Sequence, residues 1–175
     1  MAIHIIRHGE TKQNIECLIQ GWSDSPLTEK GIADAINVAR SIKLGSDPII
    51  VTSNLGRAVS TAQIVRETLG IKDDLVIDPN LRERGFGQYE GRHIDEVYDI
   101  VAKMGFKRTP EGIYVAEISG VEPIADIRSR VARVNTNYKG KDLILVGHCL
   151  SNNYLREVKK PKEFKFYAGR EVVTL

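Results

Sequence analysis

Two cysteines in 175 residues, Cys17 and Cys149, are too few for a disulfide framework, and neither falls in a spacing that metal ligation uses. The chain also lacks a surplus of either charge. Its 25 basic and 23 acidic residues leave a formal +2, which argues against nucleic acid as a partner. No basic stripe compensates, since the densest group, Lys159, Lys160 and Lys162, reads as a solvated helix end. No apolar run is long enough to span a bilayer, and the first residues enter a strand pattern with no secretory hydrophobic segment. Internal repeats and low-complexity tracts are missing. These absences predict a cytoplasmic protein in a reducing compartment, without membrane or nucleic-acid partners, and leave a homodimer open. What remains is 42% apolar and 27% charged, an ordinary globular composition in a length suited to one domain over residues 1–175.

Three stretches share one design. Ile3-His4-Ile5-Ile6 reads as a strand buried on both faces, and it delivers Arg7 and His8 before stopping at Gly9. Ile49-Ile50-Val51-Thr52 ends in Ser53-Asn54-Leu55-Gly56-Arg57, followed by a helix with Ala58, Thr61, Ala62, Val65 and Leu69 on one face and Gly70 as its stop. Leu143-Ile144-Leu145-Val146 ends in Gly147-His148, with a further helix over Leu150 to Val158. Ligands of open α/β sheets bind beyond the carboxyl ends of the strands, where these side chains would stand.

Between them, Thr28 caps a helix carrying Ile32, Ala35, Ile36, Ala39 and Ile42 as far as Gly45, and Ser46-Asp47-Pro48 turns the chain. Leu75-Val76-Ile77 is a strand candidate. His93 to Met104 has an amphipathic stripe of Ile94, Val97, Tyr98, Val101 and Met104. Gly105 to Ser119 is irregular, with a turn at Thr109-Pro110-Glu111-Gly112. Ser119-Gly120-Val121-Glu122 has the spacing of a capping box for a helix running through Ile127, Val131 and Val134, with Pro123 at an early position. Glu171 to Leu175 suits a closing edge strand. The alternation predicts a three-layer α/β fold with a mostly parallel central sheet and helices on both faces. Residues 86–119 would form a small insertion over the carboxyl ends of the strands and shape a pocket.

Arg7, His8, Arg57, Glu83 and His148 should therefore meet. Alone, Arg beside His at a strand end is more often a structural pair, and Glu83 between Arg82 and Arg84 reads equally as a salt-bridged surface carboxylate. Together, two guanidiniums and two imidazoles without an aspartate cluster suit a phosphoryl group and not a metal. Neighbouring arginines favour a neutral imidazole, whose lone pair can attack phosphorus. His8 is then the nucleophile and Glu83 the general acid, then base. Arg7, Arg57 and His148 stabilise the charge on the transferring oxygens.

Arg7-His8-Gly9-Glu10-Thr11 with Asn14, Pro26-Leu27-Thr28-Glu29-Lys30-Gly31, Ser53-Asn54-Leu55-Gly56-Arg57-Ala58, Leu81-Arg82-Glu83 and Val146-Gly147-His148 together resemble the histidine phosphatase superfamily, in its phosphoglycerate mutase-like branch. The motifs stand in the expected order over nearly the whole chain. The resemblance implies a phosphohistidine on His8, a phosphate pocket of Arg7, Arg57 and His148, and Glu83 as proton donor. Asn14 and the Gln20-Gly21 loop would add contacts, with no metal or other cofactor. One departure is Cys149, where members often have a second glycine; its thiol takes space and brings oxidation sensitivity.

About 65 residues separate Glu83 from His148 and the chain ends soon after, which resembles the shorter phosphatases more than the mutases, because a mutase must keep water from its phosphohistidine. The expectation is a metal-independent phosphomonoesterase acting on a small phosphorylated metabolite. A phosphoglycerate mutase, a phosphohistidine-protein phosphatase and a non-catalytic binder of phosphorylated ligands are the alternatives. Trp22, Arg84 and Tyr89 are candidates for a selectivity wall, with a packing role equally open for each.

Overall fold

Successive side chains of a strand point to opposite faces, and here both sets are apolar, so the sheet needs cover on both sides. The structure, a computed structural model, describes residues 2–44, 48–161, 165–167, 169 and 172–175. Strands β1 (Ile3–Arg7), β2 (Ile49–Thr52), β3 (Val76–Ile77), β4 (Leu143–Gly147) and β5 (Val173–Thr174) form one sheet in the order β3-β2-β4-β1-β5. The first four are parallel, and β5 pairs antiparallel with β1 at one edge. The helix stop expected at Gly45, the turn at Ser46-Asp47, Lys162 and the start of the closing strand at Glu171 lie outside the described residues.

On one face Ile6, Ile50, Ile144 and Val146 pack against α2 (Glu29–Ser41) and α3 (Gly56–Leu69) through Ala39, Ala58, Ala62 and Val65. On the other, Ile5, Val51, Leu143 and Leu145 join a larger core built from α4 (Ile94–Lys103), α5 (Pro110–Val115), α6 (Ile124–Asn137) and α7 (Cys149–Lys159). The short α1 (Lys12–Ile15) lies between β1 and α2. No helix among the described residues is long and apolar enough to cross a membrane.

Four local expectations are corrected. Ile32 is 42% exposed, because the buried stripe of α2 is Gly31, Ala35 and Ala39. A side chain at position 31 would meet the Glu10 carbonyl oxygen, so the glycine lets the first turn of α2 press against backbone. Met104 is 43% exposed just beyond the last residue of α4, whose buried contacts are Val97 and Val101. Thr109 to Gly112 opens α5: the Thr109 hydroxyl accepts the Gly112 N–H at 3.2 Å, with Pro110 in the first helical position. The box at Ser119 to Glu122 does not cap α6. Ile124 N–H donates instead to the Glu117 carboxylate at 3.1 Å, and Glu122 accepts from Gly85 N–H at 3.0 Å.

Candidate active site

Register places three strand ends together. Arg7 of β1 is level with Gly147 of β4, His8 N–H donates to Gly147 O at 2.9 Å, and Ser53 N–H, just past β2, donates to Val146 O at 3.0 Å. His8 is buried, and its Nδ1 lies 2.7 Å from Gly9 O. A carbonyl oxygen only accepts, so Nδ1 carries the proton and the lone pair of the neutral ring sits on Nε2. Gly9 keeps the turn tight: its N–H donates to Thr61 Oγ1 at 3.0 Å, and a Cβ there would stand 2.5 Å from Gly31 O.

The ring of His148 is wholly buried, with its centroid 5.1 Å from that of His8, and neither of its nitrogens has a hydrogen-bond partner. Burial holds its pKa well below the ordinary range, and the charges of Arg57, His8, Arg7 and Arg130 push the same way. This imidazole is neutral at physiological pH. An unfolded chain takes up its proton near pH 6.5 while the folded chain does not, so this group adds nothing above that pH and destabilises the fold as pH falls below it. The loss should reach at most about 1.4 kcal/mol per pH unit, and urea unfolding at pH 7.5 and 5.5 should show a steeper fall for the natural protein than for His148→Leu. Parallel falls would refute the assignment.

Arg57, at the first turn of α3, is 2% exposed. Its Nη1 donates to Ser23 O at 2.6 Å and its Nη2 to Gly21 O at 2.7 Å, so it fastens the loop after α1 as well as facing the cavity. Asp24 accepts from its backbone N–H at 3.1 Å. Burial lowers the Arg57 pKa, opposed by Glu83 and Asp24, and the buried Nε has no hydrogen-bond partner. The guanidinium stays cationic. Glu83 Oε1 accepts from Arg84 N–H at 2.9 Å and from the first turn of α7 through Leu150 N–H at 3.1 Å and Ser151 N–H at 3.3 Å. The isolated salt-bridge reading of Glu83 is therefore replaced by a carboxylate seated at a helix N-terminus.

Sequence reasoning missed Arg130. It lies in the middle of α6, where a charged residue ordinarily marks the solvent face, and only the tertiary structure reveals its partners. Nη1 donates to Arg82 O at 2.6 Å and Asn80 O at 2.9 Å; Nη2 donates to Glu83 O at 2.8 Å; Nε and Nη2 share the Glu122 carboxylate at 2.8 Å each. Arg130 grips the backbone that carries Glu83.

A cavity of about 310 Å³ opens here. Arg7, His8, Asn14, Arg57 and Glu83 line it, together with Gln20, Gly21 and both cysteines. Asn14 is fixed by its Oδ1, which accepts Thr11 N–H at 3.1 Å. The remaining wall is mostly apolar and draws on Phe86, α4 and α5. His148 is not part of this wall.

The three residues expected on a selectivity wall do not line the cavity either. Trp22 is 46% exposed; its indole N–H donates to Glu83 O at 2.8 Å and its ring lies under the Arg82 guanidinium, so it braces the outside of the Glu83 loop. Arg84 is wholly buried and donates to Ile113 O, Ala116 O and Glu122 O at 2.8 to 3.0 Å, tying α5 to the rest of the fold. Tyr89 packs against the larger core. Closeness to Glu83 in sequence does not determine which way a loop side chain turns.

Residues 3–159 match the histidine phosphatase superfamily (branch 1). A Cronobacter sakazakii protein named "Probable phosphoglycerate mutase GpmB" is 42% identical over 117 residues, 64% of this chain and 53% of that protein. The chain spans about half the length of the curated relatives it matches. Among solved structures, a phosphoglycerate mutase from Bacillus anthracis is similar at a TM-score of 0.81 and 26% identity, over 99% of this chain and 86% of that one. A mycobacterial glucosyl-3-phosphoglycerate phosphatase, at 20% identity and a TM-score of 0.79 over 99% and 92% of the two chains, shares the fold.

Proposed function

The chain belongs to the histidine phosphatase superfamily, branch 1, and from that premise we propose that it is a metal-independent phosphomonoesterase working through a phosphohistidine on His8. One observation carries the reading: the Nδ1–H bond to Gly9 O leaves the lone pair of His8 on Nε2, in a cavity that Arg7, Arg57 and Glu83 also line. In the first step Nε2 attacks phosphorus, the ester P–O bond breaks, and the Glu83 carboxyl gives its proton to the leaving alkoxide. In the second, the Glu83 carboxylate takes a proton from water, the hydroxide oxygen bonds to phosphorus, and the P–N bond breaks to return His8 and release phosphate. Arg7 and Arg57 meet the charge on the non-bridging oxygens, Asn14 adds an amide, and His148 supplies an uncharged imidazole beside the nucleophile.

Mutase activity is the second reading, favoured by the names of the curated relatives. Hydrolysis is preferred because Arg7 and Arg57 are the only Arg or Lys side chains among the described residues lining the cavity, and one phosphoryl group engages both. The test is release of inorganic phosphate from p-nitrophenyl phosphate in the presence of EDTA, alongside a coupled assay interconverting 2- and 3-phosphoglycerate. Hydrolysis indifferent to EDTA and faster than interconversion is expected. Loss of turnover with the chelator would remove the metal-free mechanism, and faster interconversion would establish the mutase instead.

A further inference from the structure

The cavity that would hold a phosphoryl group is much larger than that group needs, and the rest of its wall constrains what is attached to the phosphate. Ile94 and Tyr98 of α4, Pro110 and Ile113 of α5, Phe86 and Leu18 line it. The other arginines described near this wall are already committed. Arg82 donates to Asn54 Oδ1 at 2.6 Å and covers Trp22. Arg84 and Arg130 are held by backbone carbonyls and Glu122. Arg108 pairs with Asp95 and Asp99, and Arg92 with Glu96. Among the described residues lining the cavity, no further cation stands ready for a second anionic group. The polar groups on this part of the wall are neutral: the buried Gln20 amide, whose Oε1 has no hydrogen-bond partner, and the Tyr98 phenol.

We propose that the ester this cavity accepts is the phosphate of an uncharged, predominantly apolar alcohol, its body lying against α4 and α5, and that phosphorylated hydroxy acids are poor occupants. The proposal rests on reading the cavity as a phosphate-ester site. A carboxylate pressed against Ile94 and Ile113 loses its water and finds no cation in return, whereas an aromatic or branched aliphatic body removes its own surface and that of the wall from water. Burial pushes the Tyr98 phenol up, so it stays protonated and offers a hydrogen bond without charge.

The test uses phosphonates, which bind without being hydrolysed. Calorimetric titration of the natural protein with 1-naphthylmethylphosphonate and with 2-hydroxy-4-phosphonobutyrate, the counterpart of 3-phosphoglycerate, should show the aryl compound at least about tenfold tighter. Ile94→Lys, which places an ammonium on the partly buried wall at the start of α4, should narrow or invert that ratio. Equal or tighter binding of the hydroxy acid by the natural protein overturns the substrate class and leaves the phosphatase reading standing. Tight aryl phosphonate binding without hydrolysis of 1-naphthyl phosphate has the opposite consequence: the cavity is as described and the phosphatase reading fails.

Discussion

His8→Ala is expected to lower phosphomonoester turnover at least about a thousandfold while leaving the protein folded. The fold tolerates the change because the structural hydrogen bonds at this point belong to the backbone. His8 N–H still reaches Gly147 O, and Gly9 N–H still reaches Thr61 Oγ1. What disappears is the ring whose Nδ1–H is fixed on Gly9 O and whose other nitrogen holds the lone pair. No alternative nucleophile of the same kind stands ready, since the neighbouring His148 is wholly buried and does not line the cavity. Binding survives better than turnover, because Arg7 and Arg57 remain to hold the phosphoryl oxygens. The natural protein, mixed with phosphorus-labelled ester and quenched in alkali, should carry label that is released by acid, as a phosphoramidate is; the alanine variant should carry none. Activity within tenfold of the natural protein, or an unlabelled natural protein during turnover, would falsify covalent catalysis and leave direct attack by water.

Much of this arrangement was legible because a doubly covered parallel strand leaves a simple imprint. Runs such as Ile3 to Ile6, interrupted only by His4, and Leu143 to Val146 are largely apolar at both alternations, and the polar residue that follows each run stands at the carboxyl end of the sheet. Parallel register then levels those ends, so His148 becomes a neighbour of Arg7 and His8 across about 140 residues of sequence. Elements set by a few polar contacts were less legible. Thr109-Pro110-Glu111-Gly112 carries signals common to turns and helix starts, and the decision for α5 comes from tertiary packing: Ile113 and Tyr114 are buried, and Gly112 lies against the Lys107 carbonyl. Glu122 had the spacing of a cap but is taken by Arg130 and Gly85, a competition between local and distant donors that spacing cannot weigh. The roles of Trp22, Arg84 and Arg130 were hidden for the same reason. Each engages main-chain carbonyls, which are present at every position and leave no mark on the residues that own them.

Arg130→Met should reduce the rate of the chemical step about a hundredfold with little change in KM, although the guanidinium is absent from the cavity wall. Under the proposed mechanism Arg130 is a positioning residue. Its fork holds the carbonyls of Asn80, Arg82 and Glu83, and the Glu122 carboxylate it binds also receives Gly85 N–H, so both flanks of Glu83 are fixed by one side chain. Methionine keeps much of the volume but removes the Arg130 donor from the Asn80 and Arg82 carbonyls, leaves the Glu83 carbonyl with the Trp22 indole alone and leaves a largely buried carboxylate with only Gly85 N–H, a loss of about 3–5 kcal/mol in stability by analogy with other broken buried pairs. In the variant that stays folded the Glu83 loop should shift, and the proton that the proposed mechanism takes from Glu83 should reach the leaving alkoxide from the wrong place. A general loss of structure and a misplaced acid are separated by the leaving group. If Glu83 is displaced, hydrolysis of an alkyl phosphate, whose alkoxide must be protonated, falls far more than hydrolysis of p-nitrophenyl phosphate, whose phenolate leaves unaided. Arg130→Lys, which keeps the charge but loses the planar fork, should lie between the two proteins in both stability and leaving-group dependence. Equal losses for both esters in a variant that still unfolds cooperatively would reduce Arg130 to a purely structural role and separate it from the chemistry at Glu83.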